Sequence, residues 1–236
     1  MTTRSVRCGF LDPRLPDAEV ALPAGVQRVG GRSSFAVVSF GDVEVELNDS
    51  HRSFLPEFFA TAGARVEDRL ALRSGRHVLL GRVGGRAGTG HCFGLEAGDR
   101  RLLGATPPRV AAAALAGWLT RLRVTSTPGG LHLHPTVGQW STTRPPHAVL
   151  VLVLGSGQRV LLDVRPAYRG PRARVGGLAV AGGRLSRVRP PDRPAYLTLD
   201  APGHVVHLLP PTADDLDEVA DVAAHLSVRS LAGTTA

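Results

Sequence analysis

Residues 147–165 read HAVLVLVLGSGQRVLLDVR, and this stretch decides the fold. Ala148 to Leu154 are apolar without a break, rich in Val and flanked by Pro and Gly. A run of that length and composition is a strand covered on both faces. Gly155-Ser156-Gly157-Gln158 is turn chemistry, because glycine accepts the positive φ of a tight reversal. The return strand alternates, with Val160, Leu162 and Val164 on one side and Arg159, Asp163 and Arg165 on the other; Leu161 interrupts the polar side. A covered strand beside a half-exposed one predicts a sheet with other elements packed on it.

Working outward, the same alternation recurs. GDVEVEL puts Val43, Val45 and Leu47 on one face and Asp42, Glu44 and Glu46 on the other. Three carboxylates in a row can gather a cation, but a solvated sheet face explains them equally and more simply. Asn48-Asp49-Ser50 is expected to break that strand and cap a short helix carrying Leu55, Phe58, Phe59 and Ala62, with Pro56 in its first turn and Gly63 at its end. Residues 69–83 read as a hairpin turning at Ser74-Gly75-Arg76, and HCFGLEAGDRRLLG as another turning at 97–99. Between them, GGRAGTGHCFG lacks the following helix that a dinucleotide fingerprint requires, so it is expected to be a flexible connection. A helix is predicted over 107–123, capped by Thr106, with Ala111, Leu115, Trp118 and Leu122 on its buried face. AYLTLDAPGHVVHLL reads as a hairpin at Ala201-Pro202-Gly203. Thr212 with Asp215 opens a last helix holding Leu216, Val219, Ala223 and Leu226.

The fold class predicted is α+β: a mainly antiparallel mixed sheet built from successive hairpins with three packed helices. No internal repeat is visible in the residues. The best boundary lies at 125–130, separating an N-terminal hairpin and helix half (1–124) from a C-terminal hairpin half (131–236), unless the two form one continuous domain.

The 236 residues are 43% hydrophobic and 20% charged, a globular balance. No apolar run approaches the ~18 residues of a membrane span, and the N-terminus lacks a signal peptide's apolar core, so a cytoplasmic protein without membrane contact is expected. Cys8 and Cys92 imply no disulfide framework. All 28 basic residues are Arg; Lys and Ile are absent and Asn48 is the single Asn. The codons of all three are AT-rich, so a GC-rich genome accounts for the bias. Its chemical consequence is firm: Schiff-base, phosphate-loop and kinase lysines are all excluded.

Charge is concentrated. Segment 159–193 holds nine Arg and two Asp, a net of +7 in a chain whose total is +8. Arg makes planar, bidentate contacts to phosphates and carboxylates, and a Gly/Pro-rich basic segment suits an acidic protein surface or a nucleic-acid backbone. Arg165, Arg169, Arg172, Arg174, Arg184, Arg187 and Arg189 are the candidate anion-binding residues. With Tyr168 and Tyr196 the only aromatics nearby, nucleic-acid contact is expected at the backbone and not the bases. A solvated loop partly paired with Asp214, Asp215, Asp217, Glu218 and Asp221 is the plainer alternative. The function expected is a non-enzymatic binding or assembly protein without a cofactor.

The rival is a hydrolase. His132 and His134, two apart on a strand, point to one side and can ligate a metal or act as a general base. His204 and His207, three apart, fall on opposite faces. Ser156 stands between glycines at a strand end, where a nucleophile can be displayed, although the Gly-x-Ser-x-Gly motif is missing. Cys92 beside His91 faces the other way from it. Helix 107–123, LHLHPTV and AVLVLVLGSG together resemble the C-terminal region of HPr-kinase-like proteins, where a helix and a short strand precede the phosphate-loop strand. That family continues with Lys and Ser/Thr opening a helix; here Gln158 and Arg159 open a strand, so the resemblance carries no nucleotide chemistry.

Overall fold

The computed structural model describes residues 4–72, 74–85, 88–108, 110–135, 138–141, 144–167, 177–192, 194–210, 212 and 215–231. It is mostly antiparallel strand, with three α-helices among those residues. The chain divides into two compact units. Unit 2 comprises 10–14 and 33–146; unit 1 comprises 1–9, 15–32 and 147–236. Residues 125–130, expected to separate two halves, lie inside unit 2.

In unit 2, residues 33–40 of β3 (Val26–Phe40) pair with β4 (Val43–His51). A 3-10 turn (Arg52–Phe54) leads into α1 (Leu55–Thr61). Then follow β5 (Val66–Ala71), β6 (His77–Gly85), β7 (Gly88–Ala97) and β8 (Arg100–Ala105), the last three each antiparallel to the strand before, with β8 returning to pair with β4. Next come α2 (Ala112–Thr120), β9 (Leu122–Thr127) paired with β10 (Gly130–Pro135), and β11 (Gln139–Trp140) beside β3. Leu115 and Leu119 of α2, with Leu122, Leu131 and Leu133, pack on the face formed by Val38, Val45, Leu47, Leu80 and Phe93. Trp118 stacks on Phe40 with ring centroids 4.8 Å apart.

Both sides of that sheet are filled. On the second side Phe59 of α1 meets Cys92, and a Cβ on Gly81 would lie 2.4 Å from the Arg65 carbonyl oxygen and 2.8 Å from the Phe59 ring. Gly94 stands likewise under Leu55. The strand glycines therefore make room for a helix, and those of the GTGHCFG stretch belong to β7 and not to a flexible connection.

Two local readings are corrected. Asn48, Asp49 and Ser50 do not end β4, because Asp49 is satisfied by tertiary partners. Its Oδ1 accepts from Arg100 Nε at 2.5 Å and its Oδ2 from the Leu131 backbone N–H at 2.8 Å. A Cβ on Gly130, where φ is +143°, would meet the same carboxylate at 2.5 Å. The helix expected over 107–123 is confined to α2. Thr106 does not cap it; its backbone N–H donates to the His91 carbonyl and its Oγ1 accepts from the His91 N–H, extending the β7–β8 ladder.

In unit 1, β1 (Arg4–Cys8), β2 (Ala18–Leu22) and β18 (Ser227–Ser230) form a three-stranded sheet. Residues 26–32 of β3 lie beside β12 (His147–Leu154), where Gly30 approaches Val151 and Val153. β12 pairs with β13 (Arg159–Pro166) in the register Leu150↔Leu162, through a turn with Gly157 at φ +88°. After β14 (Leu178–Val180) come β15 (Gly183–Val188), β16 (Tyr196–Ala201) and β17 (His204–Leu209), and β17 returns to pair with β13. α3 (Leu216–Ala224) packs on β16, and β18 on β16 and β17. Thr212 donates through its N–H and its hydroxyl to Asp215 Oδ2, but the N-cap of α3 is Asp215 and no side chain caps it, so the expected capping box does not open this helix. β12, expected to be covered on both faces, alternates instead: Leu150 and Leu152 are buried while Val149 and Val151 are half-buried; on β13 Val160, Leu162 and Val164 are buried and Leu161 is exposed.

The units share a strand order that no residue repeat announces. Unit 2 runs β3-β4-β8-β7-β6-β5 and unit 1 runs β12-β13-β17-β16-β15-β14. In each, a hairpin precedes a four-stranded meander whose last strand returns to the hairpin's second strand; a helix and a further strand follow.

Candidate functional site

The site grows from the polar side of β13. Register places Asp163 opposite His207 of β17, and His207 opposite Thr198 of β16. Directly opposite residues share a face with Cβ atoms about 5 Å apart, so these three form one row on the side of the sheet away from the buried leucines. Arg165 lies one row to one side. On the other side, Leu209 is paired with Leu161, and Tyr196 stands one position beyond the Leu197–Leu208 pair. Of these, Asp163, Arg165, Tyr196, His207 and Leu209, with the flanking Pro194, Ala195 and Pro210, line a cavity of about 390 Å³.

Its chemistry is graded along the strands. Arg165 donates Nε and Nη2 to Asp163 Oδ2, at 2.8 and 2.6 Å. Asp163 Oδ1 is buried and accepts no hydrogen bond among the described residues. Thr198, fully buried, places Oγ1 3.2 Å from His207 Nδ1, and Tyr196 meets the imidazole edge-to-face at 5.5 Å. These two contacts fix the ring's orientation. Leu209, Pro210, Pro194 and Ala195 supply an apolar end. A charged pair, an oriented imidazole and an apolar wall make a binding cavity of ordinary ligand size.

The residues singled out in the sequence are distributed otherwise. Arg165 is in the cavity, and Arg184, Arg187 and Arg189 are exposed on or just after β15. Arg184 donates to the Gly177 carbonyl at 3.3 Å. Arg187 and Arg189 have no hydrogen bond or ion pair among the described residues. Arg169, Arg172 and Arg174, with Tyr168, Arg193 and Asp214, lie outside them.

His132 and His134 are half-buried on one side of β10, with Leu131 and Leu133 fully buried on the other. Burial holds His134 below the usual imidazole range, helped by Arg123 and His132 and opposed by Asp12. Among the described residues no group of three or more His, Cys, Asp or Glu is placed to hold a metal ion. Ser156 Oγ donates to Glu218 Oε1 at 2.7 Å and accepts from the Gln158 N–H at 3.3 Å, tying the β12–β13 turn to the first turn of α3. Cys8 and Cys92 are buried thiols; burial pushes Cys8 up to about 12 and raises Cys92. Burial also lowers His204, against a backbone hydrogen bond with Pro202.

Asp163, Thr198, Tyr196 and His207 were not gathered by the sequence reading, because only the β13–β17–β16 register brings them together. The readable signal was the polar alternation on β13 and β16. No family model, no curated protein and no solved structure matches this chain. Among the described residues no helix is long and apolar enough to cross a membrane.

Proposed function

We propose that the chain is a non-enzymatic binding or assembly protein, acting in the cytoplasm away from membranes. Its hairpin-built unit 1 presents arginines to an anionic partner, either an acidic protein surface or a nucleic-acid backbone. The observation that carries this reading is the pair Arg187 and Arg189, exposed and without a partner among the described residues, in the segment that holds most of the net charge. Arg184 stands on β15 with Arg187, and Arg169, Arg172 and Arg174 belong to the same segment. Arg165 is set apart by its bond to Asp163.

The experiment is a salt titration of binding by the full chain to duplex DNA, RNA, heparin and an acidic polypeptide. Affinity is expected to fall steeply with salt, because neutralised phosphates release condensed counterions. Replacing Arg187 and Arg189 with Gln, together with Arg169, Arg172 and Arg174, is expected to weaken binding and flatten the slope by about 0.9 for each lost phosphate contact. Binding to none of these polyanions at physiological salt would remove the reading. The hydrolase alternative on His132 and His134 predicts stoichiometric metal in purified protein that is lost in His132→Ala.

A further inference from the structure

We infer that the cavity of unit 1 binds a free α-amino acid with an apolar side chain. The carboxylate meets Arg165, the ammonium meets Asp163, and the side chain lies against Tyr196, Leu209 and Pro210. The order of chemistry along the strands is the first support. Arg165, then Asp163 with His207, then Leu209 with Tyr196 occupy successive same-face positions, and such positions are spaced about 6.7 Å apart. The arginine head turns back to Asp163, so both charges of the cavity stand side by side at one end of it and the apolar wall at the other.

The second support is unused bonding capacity. Guanidinium carries five N–H donors; Arg165 gives one from Nε and one from Nη2 to Asp163, and Nη1 has no partner among the described residues. Asp163 Oδ1 is buried with no donor among them. Buried acceptors of this kind call for an explanation, and a donor carried by a ligand is one. Aspartate χ2 is a soft torsion, so the second oxygen can turn toward an entering ammonium while the first keeps Arg165.

Charge balance is the third support. Arg165 and Asp163 neutralise each other, which makes the cavity a poor site for a net anion or a net cation. A zwitterion brings one charge for each, and each bond it forms is charge-assisted. His207, held by Thr198 and Tyr196, closes the side of this pocket as an oriented polar wall. The inference does not depend on the polyanion reading, which uses Arg187 and Arg189.

The test is calorimetric titration of the full chain with L-leucine and L-phenylalanine, and with N-acetyl-leucine and leucinamide as arms lacking one charge each. Both amino acids are expected to bind. Each of the two single-charge arms is expected to bind more weakly by roughly 10- to 100-fold, the range for one hydrogen bond to a charged group. Arg165→Gln should show the same loss for leucine, and Arg187→Gln/Arg189→Gln should show none. Leu209→Glu, an exposed site at the apolar end, tests the wall without touching the ion pair and is expected to abolish binding. No heat with either amino acid at millimolar concentration overturns the inference. So does unchanged binding in Leu209→Glu, or N-acetyl-leucine binding as well as leucine.

Discussion

In unit 2 the hairpin β3–β4 is followed by α1, which seats Phe59 over Gly81 and Leu55 over Gly94 and fills the second side of the sheet. In unit 1 the strands in the corresponding places of the meander, β15 and β16, carry larger side chains on the face of Asp163 and His207. β16 offers Tyr196, Thr198 and Asp200 on that side, and β15 offers Ser186. On that side Tyr196 lines the cavity with Asp163, Arg165, His207 and the apolar Leu209 and Pro210. The ion pairs differ in the same sense. Asp49–Arg100 is buried and ties β4 and β8 to the β9–β10 turn, whereas Asp163–Arg165 stays on one strand at the edge of a cavity. One topology thus supports a closed form, in which polar groups serve the fold, and an open form, in which they face a ligand-sized space.

The sharpest way to break this comparison is to remove the buried carboxylate. Asp49→Ala strands the Arg100 guanidinium and the Leu131 N–H, and about 4 kcal/mol of stability is expected to be lost in chemical denaturation. If the loss were under 1 kcal/mol, the pair would be no more structural than a surface one. Gly81→Ala comes next. Its methyl group would collide with the Arg65 carbonyl and the Phe59 ring, and overpacking at a backbone contact is expected to cost about 3 kcal/mol. A neutral result would show that α1 does not press on the strand.

A pH titration probes both units in one direction. His204 in unit 1 and His134 in unit 2 have folded-state values held below the ordinary imidazole value, chiefly by burial. The unfolded chain then binds more protons than the native one, so stability rises with pH. That contribution is fully present above the unfolded value near 6.5 and is lost as pH falls through it toward the folded values. His204→Gln is expected to flatten this acid slope more than His134→Gln, because His204 is buried and His134 only half so. Equal slopes in the two variants would count against burial as the main cause. The smallest effect is expected at the exposed arginines. Arg187→Gln with Arg189→Gln should shift stability by less than about 0.5 kcal/mol, the usual range for surface changes. A larger loss would reveal an internal role and weaken the binding proposal.

The sequence made the turns legible, because Gly75, Gly98, Gly157 and Gly203 all occupy the positive φ that their turns require. It made the faces of β13 legible through the alternation of Val160, Leu162 and Val164 with Arg159 and Asp163, but the unbroken apolar run of β12 hid which of its faces is only half-buried. Asn48-Asp49-Ser50 misled, since short polar side chains are local cap signals and only the distant Arg100 reveals why Asp49 is in a strand. The candidate site was hidden for a related reason. Asp163 and His207 become neighbours through strand register, which local composition does not encode. The glycines from Gly84 to Gly94 looked like looseness because the helix that Gly94 accommodates is separated from them in sequence.

The way the chain is shared between the units has a temporal consequence. Unit 2 is drawn mainly from one continuous run, 33–146, whereas unit 1 needs 1–9 and 15–32 together with 147–236. During synthesis the middle of the chain emerges with almost all its partners. β2, by contrast, waits for β18, to which Val20 is matched at Val228. Closing so long a loop late is expected to make the β1–β2–β18 sheet the slow event of folding. Until β18 arrives, β1 and β2 pair only with each other and leave an open edge. Pulse-labelled amides of β6 and β7 are accordingly expected to become protected before those of β2, and the reverse order would show that the two ends meet first.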